Sequence, residues 1–202
     1  MCASEQEHLI ESASEDRLRR VTIGEPRVLD DRITLVEYSE KWPDQFEGEA
    51  ARLRNALGNR ALKIHHIGST SVPGLIAKPI IDVVLVVASS ADEASYVPAL
   101  EAAGYILHIR EPDWHEHRLF KGQDIDLNIH VFSRGDDEIG RLLLLRDHLR
   151  SNQQDRELYA QTKRELAERR WKYTQDYADA KSDVVEGILK RASADVPEPR
   201  SP

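Results

Sequence analysis

The spacing of apolar residues changes several times along the chain, and each change predicts a different element. Ile33 to Tyr38 alternates apolar and polar positions, as a short strand does. Trp42-Pro43 opens a stretch in which Phe46, Ala50, Leu53 and Leu57 recur at helical spacing, with Gly58 as its stop. Leu62 to Ile67 predicts a strand. Ile80 to Val87 predicts a second, apolar except for Asp82, as expected where both faces are covered. Ala91 to Ala103 reads as a helix ended by Gly104. Tyr105 to Ile109 and Arg118 to Lys121 read as strands, with a turn at Gly122-Gln123. In the next run Asp124, Asp126, Asn128 and His130 alternate with Ile125, Leu127, Ile129 and Val131. Period two places those four polar residues on one strand face.

Beyond Gly135 the spacing is helical: Ile139 to Arg150, then Asp155 to about Arg170. A third helix carries Tyr173, Tyr177, Ala180, Val184, Ile188 and Ala192 on one stripe. The expected organisation is a charged, flexible leader over residues 1–28 and one α+β domain over residues 29–192. Residues 29–135 form its sheet portion and 136–192 its helical portion, with a proline-containing, flexible tail over 193–202.

Composition then narrows the chemistry. The 202 residues suffice for one domain with a sizeable core. Basic residues number 28 against 36 acidic ones, for a net charge of −8. That balance argues against nucleic acid or an anionic membrane as the main partner, while leaving room for a local basic pocket. The single cysteine, Cys2, offers no disulfide framework, so a reducing cytoplasm is the expected setting. No apolar run approaches the ~18 residues that span a bilayer. Residues 1–20 carry too much charge for a secretory signal. Nothing in the chain indicates its oligomeric state.

Candidate chemistry concentrates between His65 and Asp82. A strand ends in Gly68-Ser69, and the turn Ser69-Thr70-Ser71 offers backbone N–H groups and hydroxyls suited to phosphate oxygens. The same residues could instead cap a helix. Asp82 stands in an otherwise aliphatic strand, which is costly unless the carboxylate is paired or binds a cation. Together they suggest chemistry on a nucleoside triphosphate. Asp124 and Asp126 share a face with His130, which could serve as a metal ligand, a general base or a satisfied structural histidine. His66 is a further candidate beside the turn, whereas His115 and His117 read as loop residues. Lys78, Arg118 and Lys121 lie near the presumed mouth; Arg146, Arg150, Lys163 and Lys181 come from the helices, where a solvated face is the plainer reading.

These residues resemble the GrpB family, a set of small proteins placed within the nucleotidyltransferase superfamily fold. The matching pieces are His66-Ile-Gly-Ser-Thr-Ser-Val-Pro-Gly-Leu, Lys78-Pro-Ile-Ile-Asp82 and Ile129-His130-Val. Leu145-Arg-Asp-His-Leu-Arg150, Tyr159, Lys163, Tyr177 and Lys181 also match, so the likeness spans roughly residues 33 to 192. The resemblance implies a nucleotidyltransferase-like mixed β-sheet flanked by helices. It implies a Gly68-Ser69 element beside the triphosphate, with Thr70, Ser71, Lys78, Lys163, Tyr177 and Lys181 as further nucleotide or phosphate contacts. Mg²⁺ or Mn²⁺ would be held by Asp82, Asp126 and His130, with His66 and Asp124 as weaker candidates. The superfamily's second metal carboxylate sits two residues after the first, and here that residue is Val84. Asp126 is the expected replacement.

The function implied is binding of a nucleoside triphosphate, ATP foremost, with transfer of a nucleotidyl group to a small-molecule acceptor or activation of that acceptor. Asp82, Asp126 and His130 would carry the reaction. Two alternatives stand beside it. One is a catalytically degenerate module binding a nucleotide or a coenzyme-A-related ligand. The other is a metal-dependent hydrolase using His66, His130 and Asp82.

Overall fold

The computed structural model describes residues 15–194. Five strands form the main sheet: β2 (Lys63–Ile67), β3 (Ile81–Val87), β4 (Ile106–Glu111), β5 (His117–Lys121) and β6 (Leu127–Ser133). Their spatial order is β2-β3-β6-β5-β4, with β3 and β6 parallel and the other neighbours antiparallel. A separate ribbon pairs β1 (Asp31–Arg32) with β7 (Arg170–Trp171). The architecture is α+β: a mixed sheet flanked by helices, with a helical C-terminal third.

The aliphatic run of β3 is explained by cover on both faces. Val83, Leu85 and Val87 meet α1 (Lys41–Leu57) through Trp42, Phe46, Ala50 and Leu53. Val84 and Val86 face the other way, with Ile67 and Phe132, against Ile139, Leu142 and Leu143 of α3 (Asp137–Ser151). Full burial of each such side chain contributes about 1.5–3 kcal/mol, so β3 is fixed by packing on both sides. Helix α4 (Gln153–Ala167) follows α3 and is capped by the Asn152 side-chain Oδ1, which accepts from Asp155 N–H at 3.0 Å.

Several expected boundaries moved. Ile33 to Tyr38 is not a strand; it makes a single bridge, Val36 with Ala77. Alternation decides which side chains turn inward, but a ladder also needs a neighbour of matching length. The expected helix over 91–103 splits into a 3₁₀ turn, Glu93–Ser95, and α2 (Val97–Ala102). Pro98 lies in the first turn of α2, where its missing N–H costs nothing, and it cannot continue a preceding turn. The last stripe is divided into α5 (Thr174–Asp179) and α6 (Ser182–Ala194), with Lys181 at the break. Residues 15–21 are helical and lead to a bridge between Thr22 and Ile109, so this part of the expected leader lies on β4. Residues 1–14 and 195–202 fall outside the described residues. Among the described residues no helix is long and apolar enough to cross a membrane.

Candidate functional site

The amino ends of the parallel pair β3 and β6 bring Asp82 opposite Asn128. The Asn128 side-chain Nδ2 donates to Asp82 Oδ1 at 2.7 Å, and Lys121 Nζ donates to Asn128 Oδ1 at 2.5 Å. On the other side β2 ends at Ile67, directly opposite Asp82, and the chain turns through Gly68 into the 3₁₀ segment Ser69–Ser71. Two of the turn's hydroxyls maintain the turn itself: Thr70 donates to the Ile80 carbonyl at 3.2 Å and Ser71 to the Gly68 carbonyl at 2.6 Å. Ser69 instead accepts from Lys163 Nζ at 3.0 Å, 94 residues away on α4. Lys163 also donates to the Ile76 carbonyl. The family-matching arginines of α3 hold the back of this motif, Arg146 donating to the His66 carbonyl and Arg150 to that of Ser71.

The site carries more cationic than anionic groups. Burial and the neighbouring Lys181 bring the Lys163 amine down to about 7. Burial and mutual repulsion bring Lys78 down to about 8, and burial does the same to Lys181, with only Asp82 and Asp179 opposing. Lys121 is lowered by burial too, with Asp82 and Asp126 pulling it back. Burial pushes the Asp82 carboxyl up, but the facing His130 ring, the Asn128 amide and Lys78 outweigh it and leave the carboxyl below its ordinary range. Lys78, Lys121 and Lys181 are each close enough to Asp82 for its charge to act on their amines, and Lys163 joins the cluster through Lys181 and Ser69.

Tyr177 is not an open stacking surface. Its ring is 1% exposed, edge-on to Trp171, and the ammonium groups of Lys78 and Lys181 lie 5.5 and 4.5 Å from its centroid. It holds the two lysines in place through cation–π attraction. Tyr159 plays the same part for Lys163, whose Nζ is 5.0 Å from its ring.

His130 lies next to Asp82, with Nε2 3.9 Å from Asp82 Oδ1. Its other nitrogen meets His117 Nε2 at 3.1 Å, and His117 Nδ1 meets Glu111 Oε2 at 2.9 Å. His117 therefore corrects the loop expectation: it opens β5 and is 4% exposed. Burial holds its ring below the usual histidine range despite Glu111. Burial raises the Glu111 carboxyl, but His117 and Arg17 outweigh it and keep it low. Glu111 had no distinguishing mark in the sequence; its partner across the β4–β5 hairpin, in register with His117, is what makes it part of the site.

Other expected members do not converge. Strand β6 begins at Leu127, so Asp124 and Asp126 precede it and both are exposed. Asp124 pairs with Arg52 of α1 at 3.0 Å, away from Asp82, while Asp126 stays near enough to Lys121 to influence its amine. His66 projects from the opposite sheet face to Asp82. Its ring stacks on Phe46 at 4.7 Å, and Nε2 meets Thr70 Oγ1 at 3.1 Å. Thr70 is already donating to Ile80, so its oxygen accepts from His66. Among the described residues the one group of three His or acidic donors within 4.8 Å is His115, Asp136 and Asp137, on a different turn. At Asp82 the protein supplies one carboxylate with an imidazole beside it. That set is too small to hold Mg²⁺ or Mn²⁺ alone, but it fits an ion that takes its other oxygens from phosphate and water.

Comparison with known proteins adds the lineage. The family profile described as GrpB protein matches residues 32–191. A UPF0157 protein of Halalkalibacterium halodurans is 57% identical over 181 residues, covering 90% of this chain and 93% of that protein. Another, from Streptomyces coelicolor, is 45% identical over 172 residues, 85% of this chain and 89% of the relative. Among solved structures, GrpB from Enterococcus faecalis superimposes with a TM-score of 0.68 at 33% identity, over 79% of this chain and 96% of that one.

Proposed function

The chain belongs to the GrpB family, and on that premise we propose that it binds a nucleoside triphosphate in the Asp82 cleft and transfers a nucleotidyl group to a small-molecule acceptor. The observation that carries this reading is the cluster of amines beside the Gly68-Ser69 turn: Lys163 on the Ser69 hydroxyl, Lys78 and Lys181 over the Tyr177 ring, and Lys121 on the Asn128 amide that also holds the single carboxylate of Asp82. Such a surplus of buried ammonium charge is relieved by a polyanion, and a triphosphate carries enough negative charge to do it.

In this reading the four amines and the Ser69 hydroxyl take phosphate oxygens, while Thr70 and Ser71 keep the turn closed. Asp82 would hold Mg²⁺ or Mn²⁺ together with the phosphates, and the ion would neutralise charge as the bond to pyrophosphate breaks. Asp126, exposed ahead of β6 and near enough to Lys121 to influence its amine, would be the second acidic group toward the ion. His130 takes the acceptor's proton. The acceptor enters from the exposed side of the cleft, and the net charge of −8 favours a small one over a nucleic acid.

A second reading is supported by Val84, which is 0% exposed and sealed under α3 at the superfamily's second carboxylate position. It is a module that binds the nucleotide without turning it over. The test of both is a thermal-shift screen of ATP, GTP, CTP and UTP, each with Mg²⁺, with Mn²⁺ and with chelator, followed by pyrophosphate release over a panel of small acceptors. Stabilisation that needs the divalent ion supports nucleotide binding. Pyrophosphate release selects the first reading, and binding without release selects the second. No stabilisation by any nucleotide removes both.

A further inference from the structure

The three-membered chain behind His130 has a direction, and it can be read from hydrogen-bond chemistry alone. Glu111 ends the chain as a carboxylate that also receives the Arg17 guanidinium at 3.3 Å, so it can only accept. The proton between Glu111 and His117, at 2.9 Å, therefore belongs to His117 Nδ1. His117 is 4% exposed and neutral, so its Nε2 is left with a lone pair. That nitrogen is 3.1 Å from His130 Nδ1, and the contact needs a proton, which His130 must supply. A neutral His130 carrying its proton on Nδ1 has a bare Nε2. Asp82 is a competing acceptor at the far end, and it is favoured by a cationic His130, but with the ring neutral its 3.9 Å separation from Nε2 is too long for a hydrogen bond. The 2.9 Å contact at Glu111 thus decides the direction of the whole chain.

We propose that Glu111 and His117 are positioning residues that lock His130 in its Nδ1-protonated tautomer and present a bare Nε2 to the Asp82 cleft as proton acceptor for the incoming group. The inference rests on the transfer reading above. In the step it serves, the acceptor's oxygen or nitrogen forms a bond to the α-phosphorus, the bond from that phosphorus to the pyrophosphate oxygen breaks, and pyrophosphate leaves with the electron pair. The acceptor's proton moves to His130 Nε2. The imidazolium formed keeps its Nδ1–H on His117, whose Nδ1–H remains on the Glu111 carboxylate, so charge develops where a fixed chain of dipoles and one anion stabilise it. The arrangement supplies what nucleophile activation requires: a base oriented by a second group that is itself anchored.

The experiment is ¹⁵N–¹H long-range correlation NMR on the histidine-labelled full chain without nucleotide, at pH 8, with His130 and His117 assigned by loss of signal in His130→Gln and His117→Gln. The expected result is that both rings carry their proton on Nδ1. Glu111→Ala removes the fixed acceptor, so His117 turns to its Nε2–H form, donates to His130 Nδ1, and forces His130 into the Nε2–H tautomer, whose proton faces Asp82. His117→Phe keeps the ring volume and should switch His130 the same way, while Glu111→Asp should restore the original tautomer. A structural role for Glu111 would leave the tautomer of His130 unmoved. His130 found protonated on Nε2 in the wild type, or unchanged in both Glu111→Ala and His117→Phe, overturns the proposal. Because no nucleotide is present, the tautomers stand or fall independently of nucleotide binding.

Discussion

Gly68 and Asp82 are in contact: a Cβ on Gly68 would lie 2.5 Å from Asp82 Oδ2 and 3.0 Å from its Cβ. Gly68 also has φ 67° and ψ −175°, a region that side chains other than glycine's avoid. The glycine is needed twice, once for its conformation and once to let the carboxylate occupy its place. Gly68→Ala should therefore cost about 1–3 kcal/mol in a denaturant titration, and it should also displace Asp82. A variant that folds but binds Mg²⁺ nucleotide as well as wild type would separate the carboxylate from the site.

The lysine cluster should make stability depend on pH. An unfolded lysine titrates near ~10.4, whereas Lys163 is held down to about 7 and Lys78 and Lys181 to about 8. Below those values the folded state bears the full cost of crowded ammonium charge. As pH rises through them the folded protein releases protons that the unfolded chain still holds, so stability rises. Above about 10 the unfolded chain's tyrosines ionise, and Tyr96, Tyr105 and Tyr177, pushed up by burial, reverse the trend. Urea midpoints should therefore increase between pH 7 and pH 9, and Lys163→Met should flatten that slope. A midpoint that falls over this interval is inconsistent with the cluster.

Val84 stands where the proposed transfer reading would call for a second metal carboxylate. It packs with Ile67, Val86 and Phe132 beneath Ile139, Leu142 and Leu143. Val84→Asp would bury a carboxylate among aliphatic side chains, and about 3 kcal/mol or more of stability should be lost. A stable variant with tighter Mn²⁺ binding would favour the reading of a decayed enzyme whose pair the aspartate completes.

The three aspartates should rank by distance from the cleft. Asp82→Asn should weaken Mg²⁺–nucleotide binding by about 2–3 kcal/mol, because it removes the one carboxylate that Asn128 holds beside the amines. Asp126→Asn should do less, since its side chain is exposed ahead of β6. Asp124→Asn should leave nucleotide binding unchanged, and calorimetry of the three variants reads the order. Equal losses for Asp126 and Asp82 would mean that the mouth closes onto the ion.

Much of this was legible where local pattern suffices. The aliphatic run of β3 with its lone Asp82 and the helix from Lys41 to Leu57 follow from spacing that one element sets by itself. The Gly68-Ser69 motif and the family positions Lys163 and Lys181 were also marked. What the chain did not reveal depends on register between distant segments. Lys163 reaches Ser69 across 94 residues. His117 joins His130 because β5 lies between β4 and β6, an order that alternation within one strand cannot specify. Asp124 and Asp126 alternate correctly, yet both precede β6, which begins at Leu127, their side chains stay exposed, and Arg52 draws Asp124 away. Tyr177 sits at helical spacing suited equally to core and to ligand, and packing beneath two lysines decided it.

The central claim, that the lysine-lined Asp82 cleft receives the phosphates of a nucleotide, is tested most directly by isothermal titration of ATP, GTP, CTP and UTP with Mg²⁺ at pH 8 in two buffers of different ionisation enthalpy. Anionic phosphate should restore protons to partly neutral Lys78, Lys163 and Lys181, so at least one nucleotide should bind with net proton uptake. In Lys78→Met/Lys181→Met both the affinity and the uptake should fall. Absence of heat with every nucleotide, or binding with no proton uptake that the double variant leaves intact, would contradict the account.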